Sequence, residues 1–217
     1  MEILIIGAGG VGLGVMDAIE KNGKYEIAGF IVDTLPVGSK ISRYEVLGTV
    51  SDLSHISNDI HHAVIAVGDN WQRSEMVQKI TGLSKNLNFV SVIHPTVCIG
   101  SDVKIGDGSI LLAGAIVASN AIIGKHSLLA MGAILGHHSE LRDYASILGG
   151  ATVAGNVRIG EYSCISLGAN VINKVSIGQH SIIGAGATVV SDIPSNVVAF
   201  GTPATVKRSR QEDEKYL

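Results

Sequence analysis

The chain has 217 residues, is 46% hydrophobic and 16% charged, and carries a net charge of −3. That length admits one large or two modest domains, and that composition implies a well-packed core and excludes a disordered chain. The mild acidity gives no basis for binding nucleic acid or an anionic membrane.

The first ninety residues read as alternating strands and helices. Ile3–Ile6 is a short aliphatic run, followed by GAGGVG and a helical stretch to about Asn22. Ile27–Val32 reads as a second strand ending at Asp33. Ala63–Val67 is a third, followed by Gly68-Asp69-Asn70 and a helix from Trp71 to about Ile80, and Leu87–Val92 is a fourth. Such βαβ alternation implies a small parallel sheet, with ligands at the carboxyl ends of its strands. Gly7, Gly9 and Gly12 satisfy G-x-G-x-x-G, and Asp33 follows 21 residues after Gly12. In that setting the glycines let a backbone approach a phosphate at a helix N-terminus. A tight strand–helix turn that binds nothing is the lesser alternative. A dinucleotide fits less well, because the sheet is short and no second nucleotide-binding half follows; a nucleotide-sugar diphosphate would use the same amides. The N-terminus lacks the basic leader of a signal peptide, and no run approaches the ~20 apolar residues of a membrane span. Cys98 and Cys164 stand apart, which fits a reducing cytoplasm and offers no cysteine-based metal site.

From Ile93 a different rule takes over. Every sixth residue to Val189 is Ile, Leu or Val, at seventeen positions without a gap. The residue two before each aliphatic is small or β-branched, from Val97 to Ala187. A glycine often follows the aliphatic, as at Gly100, Gly106, Gly124, Gly136, Gly160, Gly178 and Gly184, and is expected to relieve the bend through a positive φ. A 3.6-residue period would drift out of this register, so the pattern means short strands and corners stacked as a solenoid.

This sixfold run resembles the hexapeptide-repeat acyltransferases, whose fold is a left-handed parallel β-helix. There three hexads make one triangular coil, and residues eighteen apart stack at about 4.8 Å. A Rossmann-like domain (residues 1–90) followed by such a β-helix and a tail (residues 91–217) is similar to the nucleotide-sugar acetyltransferases. These include the bacillosamine-type UDP-amino-sugar N-acetyltransferases and sialic-acid O-acetyltransferase relatives. GAGGVG, AVGDNWQR (Ala66–Arg73), IHPTVCIG (Ile93–Gly100), AGNVRIG (Ala154–Gly160) and GTPA (Gly201–Ala204) carry the likeness.

The resemblance implies transfer of acetyl from acetyl-CoA to a UDP-linked amino sugar for surface glycans, by a cytoplasmic homotrimer without a metal. The nucleotide sugar is expected at Gly9, Gly10, Val11, Asp33, Thr34 and Gly68. Counting back from AGNVRIG puts the family's catalytic histidine at His137. The carboxylate that normally follows is replaced by His138, with Glu140 as a possible substitute, and Ser146 stands where a second histidine is usual. The apolar-Gly pair of this stretch is Leu141-Arg142 here. Acetyl-CoA is expected along Ser146, Leu167 and Ala185, and Lys207 and Arg208 face either its phosphates or solvent. The alternatives are an O-acetyltransferase on the same fold, or a nucleotide-sugar-binding homologue that has lost catalysis. His126, His180 and the His61–His62 pair read as surface-turn residues, and His94 as a turn residue.

Overall fold

A computed structural model describes residues 1–56 and 60–215. The first unit is a six-stranded sheet in the order β3-β4-β2-β1-β5-β6. Its strands are β1 (Glu2–Ile6), β2 (Glu26–Ile31), β3 (Lys40–Ile41), β4 (Tyr44–Gly48), β5 (His62–Ile65) and β6 (Asn88–Phe89). All pairings are parallel except β3–β4, a hairpin absent from the expected strands. Helices α1 (Gly10–Asn22), α2 (Leu53–Ile56) and α3 (Asn70–Leu83) connect the strands. β1 is buried on both faces, with Ile3, Leu4 and Ile5 fully inaccessible, as a central parallel strand requires. The run Leu87–Val92 forms two short strands in different sheets: β6, and β7 (Val92–Ile93), the first strand of the solenoid.

Seventeen two-residue strands then recur every six residues, from β7 to β23 (Thr188–Val189). Strands three apart pair in parallel with partners eighteen residues on, as Leu111 with Leu129. Three sheets form the walls of a triangular coil, and the sixfold aliphatics make one continuous core with the small residues before them. Buried serines in the small series are satisfied by the adjacent layer. Ser109, Ser127 and Ser163 donate to the carbonyls of Gly124, Arg142 and Gly178. The stack ends in a hairpin of β24 (Val197–Gly201) and β25 (Ala204–Ser209).

The corner chemistry differs from expectation. Every sixth residue from Asp102 to Gly186 has a positive φ, between 52° and 71°. The bend therefore lies three residues past the aliphatic. The glycines directly after the aliphatic do not have positive φ. A Cβ on any of the seven would come within 2.3–2.7 Å of an atom in the adjoining layer, so close approach excludes side chains there.

One corner row is aromatic. His126, Tyr144, Tyr162 and His180 are eighteen apart, and their rings stack with centroids 5.3, 5.1 and 4.6 Å apart, interplanar angles 8–11°. Phe89 meets His126 edge-on, and Trp71 lies against Tyr162 and His180. A left-handed conformation costs a side-chain-bearing residue roughly 1–2 kcal/mol, and an aromatic pair returns about 0.5–1.5 kcal/mol beyond its burial. His126 and His180 are each 6% exposed, so they are not surface-turn residues. His62 is likewise half-buried within β5, its ring against Tyr25. His94 behaves as expected, accepting from the Thr96 amide in its turn.

The first unit covers one wall. The outward residues of the β7-containing sheet, Val92, Ile110, Leu128, Ser146, Cys164 and Ile182, are all at most 6% exposed. Val92, Ile110, Leu112 and Leu128 share a core with Val15, Ile19 and Phe30. A neighbouring wall presents Lys104, Ile122, Glu140, Arg158 and Ser176 at the same register, none of them buried.

Two measurements follow. By denaturant midpoint, Gly160→Ala should cost about 1–3 kcal/mol, because its Cβ would lie 2.4 Å from the Gln179 amide nitrogen. Gly150→Asn, at φ 68° with open space around it, should stay within about 1 kcal/mol. The second concerns His126, whose pKa is lowered from 6.5 to about 4, first by burial and then by the Arg73 charge; Lys125 adds to this, and Asp143 and Asp107 oppose it. The unfolded chain takes a proton near pH 6.5 that the native state refuses until about pH 4. This contribution is therefore complete above pH 6.5 and is lost as pH falls through that window, on the order of 3 kcal/mol. His126→Phe should flatten the stability curve between those values.

Candidate active site

The strand-to-helix turn after β1 sorts its glycines by job. Gly7 has φ 104° and Gly12 packs against the Gly7 carbonyl, where a Cβ would approach to 2.4 Å. These two are structural. A Cβ on Gly9 or Gly10 would meet nothing within 4 Å. Gly9 caps α1 without a side chain, and no acidic residue lies in the first turn, so its amides face an open cleft. That cleft, about 460 Å³, is lined by Gly9, Gly10, Val11, Gly68 and Asp69 among others. It falls within the size range of small-molecule sites.

Asp33 and Thr34 follow β2 and are exposed. Asp33 Oδ1 accepts from the Val50 amide at 2.8 Å, and its Oδ2 lies 4.0 Å from Lys79 Nζ. One oxygen thus fixes the loop after β4 while the other lies toward the Lys79 ammonium. Gly68 adjoins Gly9 and Gly10 in the cleft, whereas Asp33 and Thr34 are not among its lining residues. Asp69 caps α3 by accepting from the Gln72 amide at 3.0 Å.

His137 and His138 sit at a corner of the coil, both exposed, with His138 in the left-handed conformation. Their Nδ1 atoms are 3.1 Å apart, so one ring donates to the other. Only if His137 donates is its Nε2 left as a lone pair able to take a proton. His138 must then carry its own proton on Nε2. The His137 ring lies over Gly155, where a Cβ would come within 2.5 Å of Nε2 and Cε1. That glycine belongs to the AGNVRIG segment and leaves room for the ring. Glu140 does not take the missing carboxylate's place, because its Oε2 is paired with Arg142 at 2.8 Å.

Ser146 requires a correction. It is fully buried beneath α3, its hydroxyl donating to Asn70 Oδ1 at 2.6 Å and accepting from Arg73 Nη2 at 3.1 Å. Both contacts lie inside the junction between the two units, so this hydroxyl does not face an external groove. Leu167 and Ala185 are exposed on one line, and the Leu167 side chain lies 3.4 Å from the position of a Cβ on Gly149. Lys207 lies over the Phe200 ring, and Arg208 is paired with Glu214.

Sequence reasoning missed Arg73. It is 1% exposed and donates to the carbonyls of His126, Tyr144, Val67 and Gly68, to Asn70 Oδ1 and to Ser146 Oγ, all neutral. One guanidinium thus joins the cleft-lining turn to two corners of the coil, a task for which its planar fork of donors is suited. Its place in AVGDNWQR, one turn into α3, was the available signal.

Residues 2–80 match the family model described as the PglD N-terminal domain. UDP-N-acetylbacillosamine N-acetyltransferase of Bacillus subtilis (strain 168) is 32% identical over 114 residues, which are 52% of this chain and 51% of that protein. The acetyltransferase domain of PglB from Neisseria gonorrhoeae, in complex with acetyl coenzyme A, is 31% identical with TM-score 0.88. The match covers 95% of this chain and 98% of that one. PerB from Caulobacter crescentus, in complex with CoA and GDP-perosamine, is 28% identical with TM-score 0.90, covering 96% and 98%.

Arg73→Met would strand several buried oxygens at once, each costing about 1–3 kcal/mol when left unsatisfied. The variant should lose at least about 3 kcal/mol of stability by denaturant unfolding.

Proposed function

This chain belongs to the nucleotide-sugar N-acetyltransferases, and on that premise we propose that it transfers the acetyl group of acetyl-CoA to the amino group of a UDP-linked amino sugar. The carrying observation is the likeness, over 95–96% of this chain, to the acetyltransferase domain of PglB and to PerB, whose structures hold acetyl-CoA, or CoA with GDP-perosamine. In this reading residues 1–90 hold the nucleotide sugar and residues 91–217 hold acetyl-CoA. The diphosphate meets the open amides at Gly9, Gly10 and Val11, with Gly68 beside it and Asp33 and Thr34 toward the nucleoside.

His137 acts as the base. Its Nε2 takes a proton from the sugar's amino nitrogen as that nitrogen attacks the thioester carbonyl; the C–S bond then breaks, and the proton passes from the imidazolium to the departing CoA sulfur. His138 accepts from His137 Nδ1 and so holds the productive tautomer. As a neutral partner it stabilises the resulting imidazolium less than a carboxylate would. Leu167 and Ala185 border the acetyl-CoA groove, and the buried Ser146 does not.

The histidine pair is not among the residues lining the glycine cleft. This supports a homotrimer in which the groove between coils of two subunits completes each site, and exposed Ile116, Met131 and Ile172 on the coil suit such contacts. Among the described residues no helix is long and apolar enough to cross a membrane. Dependence on acetyl-CoA and two free cysteines support a cytoplasmic site.

A second reading, a nucleotide-sugar-binding homologue with impaired catalysis, is favoured by His138 and by the buried Ser146. The two separate in one assay of CoA release with UDP-amino-sugar acceptors. His137→Ala should cut turnover at least about 100-fold with folding intact, and His138→Asp should sustain or raise it. Absence of wild-type turnover with any amino-sugar acceptor would favour the second reading, and unchanged turnover in His137→Ala would remove His137 from the mechanism.

A further inference from the structure

The last described residues are tied back to the body of the protein. After β25, Arg210 turns inward and is 7% exposed. Its amide donates to the Asn196 carbonyl at 2.9 Å, and its guanidinium to the carbonyls of His180 and Glu214. The Glu214 carboxylate accepts from Arg208 and from the Gln211 amide, closing a turn. Gln211, Glu212 and Asp213 border a hollow with Trp71 and Glu75, so the segment crosses the first turns of α3. Lys215 follows, and it lines the glycine cleft together with Gly9, Gly10, Val11 and Gly68.

Charge decides what that placement means. Among the described residues lining the cleft, Asp69 is the one acid and Lys215 the one base. Asp69 is 7% exposed, and its Oδ2 has no hydrogen-bond partner. A diphosphate entering the cleft brings negative charge toward that buried carboxylate. The α1 N-terminus supplies only about half a unit of positive charge. The ammonium of Lys215 supplies the missing unit on the same wall.

We propose that Lys215 is a diphosphate-binding residue for the nucleotide sugar, delivered to the glycine turn by the pinned C-terminal segment. The proposal rests on reading the cleft as the nucleotide-sugar site. It gives the terminal turn a purpose that stacking of the coils does not require. Arg208 and Arg210 become positioning residues: they hold the segment in place while Lys215 makes the contact. The unpartnered Asp69 oxygen is then an acceptor for a hydroxyl donor on the bound ligand, kept apart from the phosphates by the lysine.

Calorimetric titration of the full chain with UDP and with uridine tests this. Lys215→Ala should weaken UDP binding about tenfold, the scale of one charge-assisted contact, and leave uridine binding unchanged. Lys215→Arg should restore most of the affinity, and the wild-type advantage should shrink at ~1 M salt. If Lys215→Ala binds UDP as wild type does while Gly10→Glu abolishes it, the lysine assignment fails and the cleft reading stands. If the wild-type chain binds none of UDP, GDP and dTDP, both fall.

Discussion

A backbone that turns through a left-handed residue every six positions governs this molecule. It makes each wall two residues wide and sends one side chain inward and one outward. It also divides the corners into three vertical rows. One row runs Gly114, Gly132, Gly150, Gly168, Gly186; one is the His–Tyr stack; one holds Asp102, Asn120, His138, Asn156 and Lys174. The rows have different neighbours, and so different residues. The glycine row is free of close contacts from Gly114 to Gly186. The aromatic row lies under α3. The third row holds the histidine pair, because His137 directly precedes a left-handed position and its ring is thrown over the glycine of the next layer.

The second constraint is the burial of one wall by the parallel sheet and its helices. A solenoid wall is repetitive, and a flat apolar contact along it would define register poorly. Arg73 removes that ambiguity, since its acceptors include the backbone carbonyls of His126 and Tyr144 on successive layers. The same guanidinium holds the carbonyls of Val67 and Gly68, so the cleft's distance from the coil is set by one rigid group. A change at this side chain would therefore be felt at the cleft and in the stack together.

The inward architecture was readable because it repeats. Period six, the small residues two positions earlier and the glycine motif each express a local rule that holds wherever the chain folds that way. What was not readable depends on which wall meets which neighbour. The outward series Val92, Ile110, Leu128, Ser146, Cys164, Ile182 carries that information, one residue before an inward aliphatic on every third strand. Against Lys104, Glu140 and Arg158 on a neighbouring wall it is visibly less polar, yet it emerges only once the eighteen-residue coil is drawn out. Ser146 was misjudged for that reason. His126 and His180 differ from expectation because polar corner residues usually face water, and the elements that cover them here, Phe89 of β6, Trp71 of α3 and the segment after β25, are distant in sequence. Residue type alone does not mark the bend: glycine fills six of the fifteen positive-φ corners, and Asp, Asn, His, Tyr and Lys fill the other nine, where stacking and backbone bonds between layers offset their local strain.

The hairpin at the end of the coil bears on what the protein does in a crowd. A stack of parallel strands is a template at both ends, where unpaired amides and carbonyls invite a further layer from another chain. At the near end β7 lies against α1, with the Asn22 side chain donating to the Ile93 carbonyl. At the far end β25 runs antiparallel to β24 and brings Lys207 and Arg208 to the outer edge. Reversed polarity and like charge make that edge a poor seed for end-to-end growth. On this wall, growth along the coil axis is thereby disfavoured at both ends.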